Sequence, residues 1–167
     1  MELRGDRIVL RPLAAEDIAV LAAIGREPEF ALWWPDLDEA DLARKAAGTS
    51  DAVVFTILVA GEVAGIAQYY ENDDPEYRHA GIDLGLATAW QNRGFGTDTV
   101  RTLARYLIQE RGHHRVVIDP VAHNHRAIRC YEKVGFRPVG LMRRYQREPD
   151  GIWRDGLLMD LLADELR

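Results

Sequence analysis

Gln91-Asn92-Arg93-Gly94-Phe95-Gly96-Thr97 places two glycines where the end of a strand turns into a helix. Glycine lets the backbone take a positive φ and come close to a ligand. The segment that follows, Thr97 to about Arg111, carries Val100, Leu103, Ala104, Leu107 and Ile108 near the 3.6-residue period of a helix. The first N–H groups of such a helix have no partner inside it, and the dipole favours negative charge there. A diphosphate is the expected occupant. The pattern lacks the third glycine of a dinucleotide fingerprint and the Gly-Lys-Ser/Thr ending of a P-loop, so alone it fits an ordinary loop as well.

A second constellation follows in order. Val116-Val117-Ile118 is a β-branched run that reads as a buried strand. Beyond Asp119-Pro120, Asn124 can cap a helix, Ala127 and Tyr131 share one helical face, and Gly135 can close the helix before Phe136. In Gly81-Ile82-Asp83-Leu84-Gly85-Leu86, strand alternation sends Ile82, Leu84 and Leu86 to one face and Asp83 to the other. Asp83 and Asp119, at the ends of neighbouring strands, would make a negative pocket for an ammonium group. Close-set carboxylates also raise one another's pKa, which suits a general base. The plainer alternatives are a solvated Asp83 and a turn-starting Asp119. Trp33-Trp34-Pro35 offers aromatic faces for a sugar or an ammonium, one tryptophan being expected in the core and the other on the pocket.

These residues need elements to position them. Ile8-Arg11 reads as a strand ended by Pro12, Ala15 to about Gly25 as a helix, and Leu37-Ala47 as a second helix with the acidic start Asp38-Glu39. Val53-Val59 and Val63-Tyr70 form a hairpin around Ala60-Gly61-Glu62, and His79-Ala87 is the strand that runs into the glycine loop. After the Tyr131 helix, Phe136-Gln146 is a long strand or a broken pair. Pro149-Asp150-Gly151 then turns the chain back through Ile152-Leu161. The order β-α-α-β-β-β-α-β-α-β-β predicts an α+β domain spanning residues 1–167 around a mixed sheet.

Both motifs together, in order and separated by a helix and a strand, resemble the GNAT superfamily of acyl-CoA-dependent N-acetyltransferases. That resemblance implies a mostly antiparallel sheet flanked by helices, with splayed central strands that admit the pantetheine arm of acetyl-CoA, and no metal. It implies cofactor contacts at Leu86, Ala87, Gln91, Arg93, Gly94, Phe95, Gly96, Thr97, Asn124, Arg126, Ala127 and Tyr131. Within that set the diphosphate falls to the backbone N–H groups from Arg93 to Thr97, the pantetheine arm to Asn124, and the leaving thiolate's proton to Tyr131. Arg126 and Arg129 either reach CoA phosphates or are solvated.

Trp33-Trp34, Gly81-Ile82-Asp83, Asp119-Pro120 and Arg126-Ala127-Ile128-Arg129-Cys130-Tyr131-Glu132-Lys133 look most like aminoglycoside 6'-N-acetyltransferases. The resemblance implies that Trp33, Trp34, Asp74, Asp83 and Asp119 hold a cationic sugar, and that Asp83 or Asp119 activates its amine. The final hairpin departs, because Arg143, Arg144, Arg147 and Trp153 stand where a cation site favours acid. The start Asp6-Arg7-Ile8-Val9-Leu10-Arg11-Pro12-Leu13 is similar to that of ribosomal-protein alanine acetyltransferases, so a protein N-terminus or another small amine is the alternative acceptor. A non-catalytic acyl-CoA sensor would have no use for Asn124 and Tyr131.

Composition bounds the rest. A hydrophobic content of 47% with 29% charged residues, over 167 residues, fits one globular core. The net charge of −6 speaks against nucleic acid and suits a cationic substrate. No apolar run is long enough for a membrane, and the first residues lack a secretory core, so a cytoplasmic monomer or homodimer is expected. Cys130 is the single cysteine, and the five histidines lack metal-ligand spacing.

Overall fold

The computed structural model describes residues 1–167, which fold as an α+β sandwich built on an eight-stranded sheet. The elements are β1 (Leu3–Arg4), β2 (Ile8–Pro12), α1 (Ile18–Gly25), α2 (Pro28–Trp33), α3 (Glu39–Ala46), β3 (Val53–Val59), β4 (Glu62–Asn72), β5 (His79–Leu86), α4 (Phe95–Gln109), β6 (Arg115–Ile118), α5 (His125–Glu132), β7 (Arg137–Arg147) and β8 (Trp153–Leu162). The sheet runs β1-β2-β3-β4-β5-β6-β8-β7, and β5-β6 is its one parallel pair. Two elements were not expected from the sequence. β1 has two residues, and α2 is a single-turn piece started by Pro28, whose missing N–H costs nothing at a first helical position.

Helices cover both faces. Ile82 lies buried beneath α4 and α5, where it meets Val100, Leu103, Leu107 and Tyr131, with Leu84 and Leu86 packed on the same cluster. The opposite face holds Leu13, Leu21, Phe30, Leu42 and Ile66 under α1 to α3. The alternation read in β5 is therefore real, and it turns Asp83 toward the α1–α3 side, mid-strand rather than at the strand's end. The β3-β4 turn carries Ala60 at φ 50° and Gly61 at φ 85°, the paired left-handed residues that match hairpin twist.

The parallel pair decides where a site can form. β5 and β6 are in register only at Ala80↔Val116 and Gly81↔Val117. After Ile118 the chain meets Pro120, which has no amide to donate. It then turns to β8, where Leu157 N donates to the Pro120 carbonyl at 2.8 Å and Ala122 N to the Asp155 carbonyl at 2.8 Å. From Ile82 onward β5 thus has no strand partner on that side. The splay follows from the short length of β6.

Candidate functional site

Two cavities open along the free edge of β5. The first, about 350 Å³, runs from the glycine loop over the Leu84–Leu86 edge to α5. The second, about 280 Å³, lies between Asp83 and Asp119 under Pro35 and Gln146. Trp33, Trp34, Leu84, Asn124 and Tyr131 line both, so the cavities meet at Tyr131.

The glycine loop is wound tightly into α4. Asn92 (φ 58°) and Gly94 (φ 87°) both sit in the left-handed region, and Gly94 caps the helix. The Asp98 amide donates to the Gly94 carbonyl at 3.1 Å, leaving the amides of Phe95, Gly96 and Thr97 without a carbonyl inside the helix. Behind them stands the dipole of a 15-residue helix. The loop is braced from outside. The Arg7 guanidinium lies 4.3 Å from the Phe95 ring centre, and its Nη1 donates to the Arg93 carbonyl at 2.9 Å. The Asp98 carboxylate accepts the Asp6 and Arg7 amides at 3.0 and 2.7 Å, so β2 and α4 are locked together.

Several expected cofactor residues serve this bracing instead. Gln91 donates to the Leu86 carbonyl at 2.9 Å and accepts from Arg126 Nη1 at 2.6 Å, tying the end of β5 to α5. The Arg93 guanidinium stacks on Trp90 and Phe95, the Phe95 ring is buried in the core, and Ala87 is buried in the cluster under α1 to α3. The side chains of Ala87, Arg93 and Phe95 do not line the cavity, whereas Gln91 does. Gly96 needs no positive φ, and it faces the cavity from the first turn of α4 beside Cys130 and Leu86. Leu86, Thr97, Asn124, Arg126, Ala127 and Tyr131 line the first cavity, and Glu29, Phe30 and Asn92 join them.

Asn124 is both cap and lining residue. Its Oδ1 accepts the Ala127 amide at 3.2 Å, which leaves its side-chain NH2 for the cavity. Tyr131, two turns further, is buried, and burial first, then its charged neighbours, pushes its ionisation well above the usual tyrosine range. It keeps its proton at any ordinary pH.

The second cavity is rich in acceptors. Asp83 Oδ2 accepts from Gln68 Nε2 at 3.0 Å, because Gln68 and Asp83 are direct partners across β4 and β5. Orienting its NH2 this way leaves Gln68 Oε1 buried with no partner. Asp119 Oδ2 accepts from the Tyr145 hydroxyl at 2.6 Å. Burial is the main cause that holds the Asp83 carboxyl above the usual carboxylate range, and the nearby Asp119 adds to it. Two carboxylates and an orphaned amide oxygen ask for a donor with several protons, which an ammonium group is.

Both tryptophans reach the site, contrary to the expected division of labour. Trp34 stacks on Phe30 and carries Lys45 Nζ 5.6 Å above its ring. Trp33 packs against His123 at 5.3 Å and leaves its buried indole N–H unpaired. Asp74 does not reach it. It is exposed in the β4–β5 turn, where its Oδ1 accepts the Glu76 amide, and it lines neither cavity. Gln68, Tyr145 and Gln146 were missed. Opposing β4 and β5 across the turn between Asn72 and His79 would have paired Gln68 with Asp83. The other two carry no local signal.

No group of three or more His, Cys, Asp or Glu is placed to hold a metal ion, and no helix is long and apolar enough to cross a membrane.

The acetyltransferase (GNAT) domain family model matches residues 7–137. Among curated proteins, the chain is 32% identical to an aminoglycoside N(6')-acetyltransferase type 1 of Klebsiella pneumoniae, over 87% of this chain and 80% of that one. It is 43% identical to a kanamycin resistance protein of Rhizobium radiobacter, over 48% of this chain and 70% of that protein. Among solved structures, the aminoglycoside acetyltransferase AAC(6')-Ib in complex with coenzyme A and kanamycin superposes with a TM-score of 0.77 at 27% identity, covering 95% of this chain and 96% of that one.

Proposed function

Since this chain belongs to the GNAT acetyltransferases, enzymes that use acetyl-CoA as co-substrate, we propose that it moves the acetyl group to a primary amine of a cationic small molecule, an aminoglycoside at its 6'-amine. The observation that carries this reading is the cluster of acceptors in the second cavity, Asp83, Asp119 and the unpartnered Gln68 Oε1, beside two tryptophans. The relatives whose names include aminoglycosides support it.

The residues present fit acetyl-CoA. The free amides of Phe95, Gly96 and Thr97 form a cradle for the diphosphate. The unpaired edge of β5 and the Asn124 NH2 suit an extended amide-bearing arm. When bound, acetyl-CoA supplies an acetyl thioester. The chain's own residues do the rest. Asp83 and Asp119 hold the ammonium, and Asp83, with its raised pKa, takes a proton from it directly or through water, so that a neutral amine faces the carbonyl. As a C–N bond formed and the C–S bond broke, Tyr131 would give its proton to the departing sulfur and regain one from the acylated nitrogen, directly or through water, leaving amide and thiol. Amides on the free edge of β5 are the donors available to the carbonyl oxygen. Proximity follows from the shared wall, since Tyr131 lies on both cavities.

The test is an acceptor panel that reads thiol release with kanamycin, spermidine and a peptide with a free N-terminal alanine. Kanamycin is expected to be the best acceptor, with one acetyl group located on the 6'-nitrogen by NMR. Preference for the peptide would overturn the reading.

A variant isolates the cofactor side. A β-branched residue in place of Gly94 must adopt φ near +87°, at a strain cost of roughly 1–3 kcal/mol. There is room for it in the free protein, where a Cβ would come no closer than 3.6 Å to Arg7 Nη1. Gly94→Val is therefore expected to fold yet to raise the KM for acetyl-CoA by about tenfold or more, with the acceptor KM little changed. Unchanged acetyl-CoA KM would remove the loop from the diphosphate site.

A further inference from the structure

β7 is not a regular strand. Its pairing with β8 runs through Met142↔Gly156 and resumes at Gln146↔Arg154, so Arg143, Arg144 and Tyr145 span the single residue Asp155. Arg144 takes φ 51°, a left-handed conformation unfavourable for arginine, and its amide donates to Asp155 Oδ1 at 2.8 Å. The bulge lays the Tyr145 ring across Gly156. A Cβ there would lie 2.7 Å from Tyr145 Cδ1, so glycine is what the close approach requires. The hydroxyl thereby crosses β8 to reach Asp119 on the far side, at 2.6 Å. Bulges beside functional sites commonly re-aim one side chain in this way.

The hairpin end beyond the bulge is anchored too. Glu148 is buried, with its carboxylate 3.0 Å from Arg154 Nε and 3.3 Å from His123 Nε2, and His123 packs on Trp33. Gln146, between bulge and anchor, lines the second cavity. The hairpin is thus fastened at its tip to Trp33, which lines the same cavity as Asp119, the partner of the Tyr145 hydroxyl.

We propose that Tyr145 is a positioning residue of the acceptor site, holding the Asp119 carboxylate in place through its hydroxyl, and that the β7 bulge delivers it. Asp119 follows the last residue of β6 and is free to rotate about its side-chain bonds. One donor on Oδ2 fixes the carboxylate plane and leaves Oδ1 for the acceptor's ammonium. Binding then carries less ordering cost, because the carboxylate is already oriented. The inference rests on the reading of Asp119 as an ammonium holder.

The experiment is a double-mutant cycle with kanamycin as acceptor. Tyr145→Phe keeps the ring, and the residue is exposed, so folding is not threatened. It is expected to raise the kanamycin KM about tenfold, the effect of one hydrogen bond to a charged group, and to leave the acetyl-CoA KM alone. In an Asp119→Asn background the same change is expected to add less than about twofold, because the partners act as a unit. If Asp119→Asn weakens kanamycin but Tyr145→Phe does not, or if the two losses multiply independently, the positioning role is wrong and the acceptor reading stands. If Asp119→Asn has no effect, or kanamycin is not acetylated, both fall. An ultraviolet titration of the tyrosines needs no acceptor. The bond to Asp119 is the main cause that keeps the Tyr145 phenol above its ordinary value of 10.0, so Asp119→Asn should bring one more tyrosine into ionisation near that pH. An unchanged titration would show that the bond does not form in solution and would overturn the inference.

Discussion

Tyr131→Phe is expected to lower kcat by roughly 10²- to 10⁴-fold, the range for loss of a positioned general acid. The phenol lies where the two cavities meet, and burial keeps it in the protonated form that an acid needs at working pH. Phenylalanine fills the same space between Val134 and Phe136 and removes a hydroxyl that has no hydrogen-bond partner within the chain. The variant should therefore match the parent in thermal stability and in the KM values for both substrates. A loss confined to kcat is the signature of an interaction made only as the C–S bond breaks. Steady-state kinetics with kanamycin checks it, and parent-like turnover would return Tyr131 to a packing role.

Asp83→Asn is expected to cut kcat/KM for the acceptor by about 10²-fold or more, since it removes both a charge that binds and a base that accepts a proton. The pH profile gives the sharper test. The Asp83 carboxyl is held above its ordinary value of 3.8, chiefly by burial, so the parent's activity should fall on the acid side at a higher pH than a solvated aspartate would dictate. Asparagine should abolish that limb. Stability should move the other way. A carboxyl whose folded pKa is raised contributes stability below its unfolded pKa and loses it as pH rises through the folded one. At neutral pH the ionised, half-buried Asp83 is thus a burden on the fold. Asparagine keeps the acceptor for Gln68 Nε2 without the charge, so thermal melting at pH 7 should hold steady or rise as activity collapses. A variant that loses stability together with activity would mark Asp83 as structural. Rising salt should also weaken kanamycin binding to the parent more than to Asp83→Asn, because part of the attraction is screened.

The sequence by itself determined the features that local chemistry dictates. The 3.6-residue ladder from Val100 to Leu107 makes α4, and Asn124 caps α5 with its own side chain. The β5 alternation turns Ile82 to the core and Asp83 away from it, and Gly94 supplies the left-handed turn that frees three amides. Each rests on neighbours within a few residues, which is what a periodic pattern records. Even the splay had a local cause, since Pro120 ends β6 after four residues.

Only the tertiary structure decided who shares the cavities. Gln68 meets Asp83 through the register of β4 on β5, and α2, a piece too short to leave a periodic trace, carries Trp33 and Trp34 to the junction. Tyr145 reaches Asp119 because three residues bulge over one, and a register shift sends side chains to faces that alternation cannot foretell. Asp74 stays in an exposed turn bonded to neighbours two residues away, Arg93 stacks on the nearby Trp90 and Phe95, and packing in the two cores turns the side chains of Ala87 and Phe95 away from the cofactor cavity. Residue type is local information. Direction is fixed by packing against strands and helices far along the chain, and the acceptor side of this site is built almost wholly from such long-range pairings.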